Sequence, residues 1–385
     1  MQMNQATLEL TSLSASAADG ARATTLEDPC GFDIGWDHAH HGLVPPAELL
    51  LDGTAIGQGW RAGRAVFGRR TLSGNRHTRA WLALRIRAWR QGAAFDAQQV
   101  NAAYLAQLDT PRCPVRRTPL GGPVGHEDAA VIERLNPHAA YAAGNLAVMS
   151  HGAARAWEGV DVLDALRRAR AAERSGETVA GLDAGAWWRV ATLRACTQPL
   201  PFHEAASLPL AVLPPNRVRV LNAVQGLQAL VSRLFLLPGW SARTRALAQL
   251  LPAHTLRPDY NLFIGAVAPR IIEAGNEPAA LRRAVEDAWL HERVQRRWQH
   301  WVLSLGEAGT ESLLKCAADT GLAGVRTVCH PLEQATEGWG LAIDSSSALR
   351  PPARRPAPQA GRQRTAPPPL RPVVRGSGGR PASAR

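Results

Sequence analysis

The second half of the chain is a succession of helix-length segments, and this feature constrains the fold most. Apolar side chains recur there at helical spacing, which is typical of helices that pack one face against a core. Asn222 and Ser241 stand where N-caps are expected, and Pro214-Pro215 excludes a helix between the first two segments. The pattern predicts helices over 183–196, 222–236, 241–250, 260–274, 277–304 and 307–318. We therefore predict a mainly α-helical domain over residues 177–345.

The part of the chain before this domain has a different character. Glycine and proline are frequent between Cys30 and Gly74, which predicts turns and short pieces rather than long elements. Helices are predicted over 78–91, where Trp81 and Trp89 share a face, and over 97–108. With the strands described next, these segments predict an α+β region over residues 28–176.

Residues 111–157 carry the pattern of two short strands and a helix. After Cys113-Pro114-Val115 and a polar turn come two apolar runs, Ala130–Asn136 and Tyr141–Ser150, and then a segment that opens a helix. Pro111 and Pro114 lead into this window, and the segment after Ser150 is expected to begin a helix near Gly152.

This layout resembles the ββα core of the HNH (His-Me finger) nucleases. Glu133-Arg134-Leu135-Asn136 is similar to the first-strand motif of that family, with Glu in place of its usual Asp, and Tyr141 and Asn145 match later positions. In the family, one divalent metal lies between hairpin and helix, and a histidine activates the attacking water. The chain also looks like members of an uncharacterised bacterial family with the same core.

The resemblance implies a specific set of site residues. Glu133, Asn145 and His151 are the expected catalytic residues. The resemblance makes Glu133 the metal ligand and Asn145 the residue that orients the site, and the base that activates water is expected to be His151 or His138. Glu133 and Asp128 are the expected metal ligands, and the cofactor is Mg or Mn, with no other expected. The reaction would be metal-assisted hydrolysis of a phosphodiester.

Two departures from the family pattern leave the function open between alternatives. Arg134 stands at the position of the family's histidine base, and Ala154 stands where the helix would supply a metal ligand. The chain is therefore expected to be either a metal-dependent endonuclease or a nucleic-acid-associated module without catalysis. The alternative of a different class is a structural protein whose helical domain binds a protein partner.

The helix predicted over 78–91 offers a basic face for nucleic acid. Arg79 and Arg87 lie on it, and Arg134 joins them as a candidate nucleic-acid-binding residue. Guanidinium groups match phosphate oxygens and supply affinity without sequence preference. The other interpretation is a solvated face over a tryptophan-anchored core.

Asp37-His38-Ala39-His40-His41 has the composition of a transition-metal site. Alternation of His38 and His40 along a strand, with Asp33 or Asp37 nearby, would suit zinc. No second His or Cys pair stands at a fixed spacing from them, so incidental histidines are the competing interpretation.

Charge is concentrated at the end of the chain. The net charge is +12, and residues 350–385 contain nine arginines, nine prolines and no acidic residue. We predict a disordered Arg/Pro-rich tail over 346–385 and a disordered segment over 1–27. Five widely spaced cysteines, no signal-peptide pattern and no long apolar run predict a cytoplasmic protein without a membrane partner.

Overall fold

The computed structural model describes residues 28–322 and 328–341, so the predictions for 1–27 and 346–385 lie outside the described residues. The helices in the described part are α1 (Pro29–His40), α2 (Ala55–Phe67), α3 (Arg76–Arg90), α4 (Ala102–Leu108), α5 (His151–Trp157), α6 (Val162–Ser175), α7 (Ala184–Cys196), α8 (Phe202–Ser207), α9 (Ala223–Phe235), α10 (Trp240–Gln249), α11 (Arg257–Ala274), α12 (Pro278–Ala288), α13 (Glu292–Asp319) and α14 (Leu332–Ala335).

Two strands, β1 (Ala130–Arg134) and β2 (Leu146–Ser150), form one small antiparallel sheet. The described chain is thus mostly helical with a single hairpin, which confirms the broad α+β class. Among the described helices, none combines the length and the apolar character that a membrane crossing needs.

The segment between Cys30 and Gly74 contains two long helices, and the prediction of short pieces was wrong. Helices α1 and α2 run in the same direction and cross closely through glycines. A Cβ atom added to Gly35 would lie 1.9 Å from the Ile56 carbonyl oxygen, and one added to Gly59 would lie 1.9 Å from the Phe32 carbonyl oxygen. These glycines allow two backbones to touch, because they lack a side chain. Here glycine marks helix contact rather than a turn.

The helical half packs around a group of large aromatic side chains. Phe263 of α11 lies 5.3 Å from Trp298 and 5.8 Å from Trp301 of α13, measured between ring centroids. Trp298 and Trp301 are almost fully buried, which makes them the centre of this core. Large aromatic rings bury the most apolar area per residue, so they anchor the packing of α9, α11 and α13.

One predicted helix in this half is interrupted, and one predicted break is present. The segment predicted over 277–304 is broken after α12, and α13 begins after His291, whose Nδ1 accepts a hydrogen bond from the Arg293 amide at 3.2 Å. The predicted break between residues 304 and 307 is present, because Gly306 is non-helical, with φ at +74°, and separates two helical stretches within α13. Glycine adopts this left-handed conformation without a steric cost, so the chain bends there and the helix resumes.

The hairpin and the helical half share one buried cluster. Cys113, Leu135 and Met149 from the hairpin region contact Trp187 and Leu193 of α7 in it. All the described residues belong to one compact unit. The division into separate domains at residue 177 stays a prediction.

Candidate functional site: the hairpin core and the basic end of the N-terminal helices

The hairpin passes directly into a helix, as the window 111–157 predicts. Strand pairing matches Ala130 with Ser150 at one end and Arg134 with Leu146 at the other. Ser150 then caps α5, because its Oγ accepts a hydrogen bond from the Ala153 amide at 3.3 Å. Hairpin and helix are therefore one continuous supersecondary unit with two distinct ends.

Asn145 organises the loop that joins the two strands. Its Oδ1 accepts from the Asn136 amide at 2.7 Å, and its Nδ2 donates to the carbonyls of Asn136 and Ala140, each at 3.0 Å. The side chain is fully buried, so these bonds satisfy polar groups that water does not reach. Asn145 thus fixes the loop geometry, and its amide is already saturated by backbone partners.

Glu133 is held by Arg87 of α3. The Arg87 guanidinium lies 2.7 Å from the Glu133 carboxylate and also donates to the Ile132 carbonyl at 3.1 Å. Burial raises the pKa of Glu133, against the opposing effect of the positive groups of Arg87, Arg194 and Arg134. The carboxylate expected to ligate a metal therefore lies among guanidinium groups.

Two further arginines fill the space around this end of the hairpin. Arg194 of α7 is 2% exposed, donates to the Leu135 and Trp157 carbonyls at 2.8 Å, and lies 4.1 Å from the Trp157 ring centroid. Burial lowers its pKa to about 9. Arg134 lies 4.5 Å from the Tyr141 ring centroid and donates to the Ala139 carbonyl at 3.0 Å. Both guanidinium groups make contacts inside the fold, so the guanidinium group of Arg134 is not available to nucleic-acid phosphates.

The other expected site residues lie at the opposite end of the hairpin. Asp128 precedes β1 and accepts from the Thr118 hydroxyl at 3.0 Å. The His151 amide donates to the Ala129 carbonyl at 2.8 Å, which places the start of α5 beside Asp128. The strand from Ala130 to Glu133 alone spans about 10 Å, since a strand rises about 3.3 Å per residue. The structure therefore does not bring Glu133 together with Asp128 or His151.

The expected metal does not fit the donor set at this site. No group of three or more His, Cys, Asp or Glu side chains with metal-binding geometry occurs within residues 28–322 and 328–341. Mg²⁺ and Mn²⁺ require several oxygen ligands, and the Glu133 carboxylate pairs with Arg87. A dication would be repelled by the three guanidinium groups that surround Glu133.

The histidines at 38–41 lie on a helix rather than a strand, which changes their geometry. His38 is buried in α1, with its Nδ1 2.7 Å from the Ile34 carbonyl oxygen, and burial lowers its pKa. His40 points to the other side and stacks on Phe67 at a centroid distance of 4.4 Å. Asp37 pairs with Arg85. The zinc interpretation, which needs both imidazoles on one strand face, is wrong for this geometry.

The sequence from 53 to 95 contains nine arginines and no aspartate or glutamate. This imbalance of charge forms no short motif, so motif patterns do not reveal it. Five of these arginines pair with acids elsewhere in the fold, at Asp52, Asp109, Asp37, Glu133 and Glu48. Within the part of the chain that the structure describes, four have no acidic partner and are exposed, and we call them the basic end: Arg64, Arg69, Arg70 and Arg79.

The basic end occupies one end of the N-terminal helices. Arg64 lies in the last turn of α2, with its guanidinium 5.1 Å from the Trp60 ring centroid. Arg69 and Arg70 follow the helix, and the Arg70 amide donates to the Phe67 carbonyl at 2.8 Å. Arg79 lies in the first turns of α3. Of the three predicted nucleic-acid-binding residues, Arg79 alone belongs to the basic end. The guanidinium groups of Arg87 and Arg134 make contacts inside the fold.

No protein-family model, curated protein or solved structure matches this chain. The resemblance of the hairpin and α5 to the HNH core accordingly stays a prediction. The features that bear on its chemistry are the arginines around Glu133 and the basic end.

Proposed function

We propose that this protein binds nucleic acid through the basic end and that the hairpin with α5 is a scaffold without hydrolytic activity. The observation that carries the proposal is the imbalance of charge in residues 53–95, where four exposed arginines have no acidic partner in the described structure. The guanidinium groups of such arginines are available to phosphate oxygens, and each phosphate contact releases counterions from the nucleic acid.

The non-catalytic part of the proposal follows from the environment of Glu133. Its carboxylate pairs with Arg87 rather than facing a second acid, and Asp128 and His151 lie at the far end of the hairpin. A hydrolytic site needs a metal or a positioned base beside the attacked phosphate. The described residues bring neither to Glu133, so we derive no hydrolytic step.

The test is binding of a labelled oligonucleotide, followed by fluorescence anisotropy over a range of salt concentrations. The variant Arg69→Ala/Arg70→Ala removes two charges from the basic end. Arg293→Ala/Arg297→Ala removes two charges from exposed positions of α13 and is the matched control. We expect the first variant to bind more weakly and to lower the slope of log K against log salt by about 2, because each lost phosphate contact removes about 1. The control should leave the slope unchanged.

The arginines of residues 350–385 would bind polynucleotides by charge alone, so the test includes a chain that ends at Leu349. That chain keeps the whole unit Met1–Ile343. Loss of all binding on this truncation, or equal losses in the two double variants, would contradict the proposal. That result would favour the alternative function, in which the helical half binds a protein partner.

A further inference from the structure

A row of partly exposed aromatic rings runs along α1 and onto α2 beside the basic end. Phe32, Trp36 and His40 are four residues apart on α1, so they line one face of the helix. Phe67 of α2 continues the row, 5.1 Å from Trp36 and 4.4 Å from His40 between ring centroids. We call these four residues the aromatic row.

The aromatic row is accessible rather than part of the core. Phe32 is 36% exposed, and Trp36, His40 and Phe67 are all half-buried. Ile34 of α1 belongs to a buried cluster with Leu49, Ile56 and Ile86, and at helical spacing Ile34 lies about half a turn away from Phe32 and Trp36. None of the four rings of the aromatic row belongs to that cluster.

The close helix crossing holds the row in place. Gly35, Gly59 and Gly63 bring α1 and α2 into backbone contact, so the rings of both helices lie side by side at a fixed separation. The loop after α2 also packs back on α1, because the Leu72 amide donates to the His40 carbonyl at 2.8 Å. A rigid row of rings loses little conformational entropy when a ligand stacks on it.

We infer that the aromatic row and the basic end together form a binding surface for single-stranded nucleic acid. This inference rests on the proposed function and narrows its partner class. Single strands expose base faces that can stack on aromatic rings, whereas a duplex hides them between neighbouring base pairs. Arg64, Arg69 and Arg70 border Phe67 and supply the positive charge that the phosphate backbone needs.

The arrangement also explains why these rings are exposed. Phe32 is exposed and lies 6.2 Å from Trp36 between ring centroids, and Phe67 at the other end of the row is followed by Arg69 and Arg70. An aromatic platform next to a cationic track is the standard composition of a single-strand site. Stacking accepts any base, so the surface should bind with little sequence preference.

The test measures the affinity of full-length variants for labelled oligothymidylate, oligouridylate and a duplex of equal length. Phe32→Leu keeps an apolar side chain of similar size and removes the ring, and Phe32→Tyr restores a ring. Phe202→Leu makes the same change at a half-buried phenylalanine of α8 and is the control. We expect Phe32→Leu to weaken binding of both single strands by about fivefold or more while duplex binding is unchanged. Phe32→Tyr and Phe202→Leu should bind as the parent does.

The outcomes separate this inference from the proposed function. If Arg69→Ala/Arg70→Ala weakens binding and Phe32→Leu does not, the nucleic-acid function stands and the single-strand surface is refuted. An equal effect of Phe32→Leu on duplex and single strands also refutes it. If neither variant changes affinity, both proposals fail. Far-UV circular dichroism on each variant shows that the helices are retained, and the same comparison in the chain ending at Leu349 removes the contribution of residues 350–385.

Discussion

Substitution of Gly35 by alanine should destabilise the protein, although alanine is the better helix former. A Cβ atom at this position would lie 1.9 Å from the Ile56 carbonyl oxygen and 2.7 Å from the Trp60 amide nitrogen. Ordinary contact begins near 3.4 Å, so α1 and α2 must separate by about 1.5 Å to admit the methyl group. Both neighbours are backbone atoms, and no side-chain rotation can relieve the overlap.

The magnitude follows from two opposing effects. Overpacking a well-packed contact costs about 1–3 kcal/mol, and occasionally more when the neighbours cannot move. Alanine recovers up to about 1 kcal/mol of helix propensity relative to glycine. Since the overlap at Gly35 is with backbone, we expect the upper end of the range and a net loss of about 2 kcal/mol in the free energy of unfolding.

The control is the same substitution in a helix where nothing stands in the way. Gly265 lies in α11, and a Cβ atom added there has no neighbour within 4 Å. Gly265→Ala should therefore stabilise the protein by up to about 1 kcal/mol. Urea denaturation followed by circular dichroism and tryptophan fluorescence would compare the two variants with the parent. If Gly35→Ala is as stable as Gly265→Ala, the close helix crossing is not a property of the protein.

Three further predictions concern the buried polar groups. Asn145→Ala should lower the free energy of unfolding by about 3 kcal/mol, because it leaves buried backbone groups of the loop without partners; a loss below about 1 kcal/mol would contradict this. Burial lowers the pKa of His38 below 6.5, so the unfolded chain binds its proton more readily and stability falls as pH drops below 6.5. His38→Gln should reduce that fall in pH-dependent urea unfolding, and an unchanged slope would refute the assignment. Burial raises the pKa of Cys196 to about 12, so iodoacetamide at mildly alkaline pH should modify exposed Cys30 and Cys316 while Cys196 stays unmodified until denaturation.

The helices of the second half were predictable because their signals are local. The segment predicted over 183–196 corresponds to α7, Ala184–Cys196, and Asp183 caps it by accepting from the Ala186 amide at 2.6 Å. The segment predicted over 222–236 corresponds to α9, Ala223–Phe235. Apolar spacing and a capping residue are both properties of neighbouring residues, so the sequence alone contains them.

The α1–α2 pair was not predictable in the same way. The same glycines that suggest turns are required where two helix backbones touch, and only the partner helix distinguishes the two roles. The break at Gly306 is the opposite case, because it was predicted between residues 304 and 307 from the local sequence. For the α1–α2 pair the deciding contact is made by residues of another helix, which no local pattern contains.

The candidate site shows the same division between local and non-local information. Two strands followed by a helix were expected from the family resemblance of residues 111–157, and the structure has these three elements. The partner of Glu133 is Arg87, which lies 46 residues earlier in the chain, and no local pattern connects the two. The composition of residues 53–95 was a usable signal, since a span rich in arginine and free of acids must find its counter-charges elsewhere or remain available to a ligand.

Arginines supply the positive charge around the buried Glu133 carboxylate, and a divalent ion is another way to compensate such a group. A divalent ion at a carboxylate neutralises buried negative charge and joins strand to helix. In this chain Arg87, Arg134 and Arg194 supply positive charge at the same end of the hairpin, and Arg194 also bonds the carbonyls of Leu135 and Trp157, which belong to the loop and to α5. The arginines thus join the hairpin, α5 and α7 by hydrogen bonds of the chain itself, which is the structural part of what a bound ion does in metal-containing folds. We therefore propose that the binding function lies at the basic end and not at Glu133.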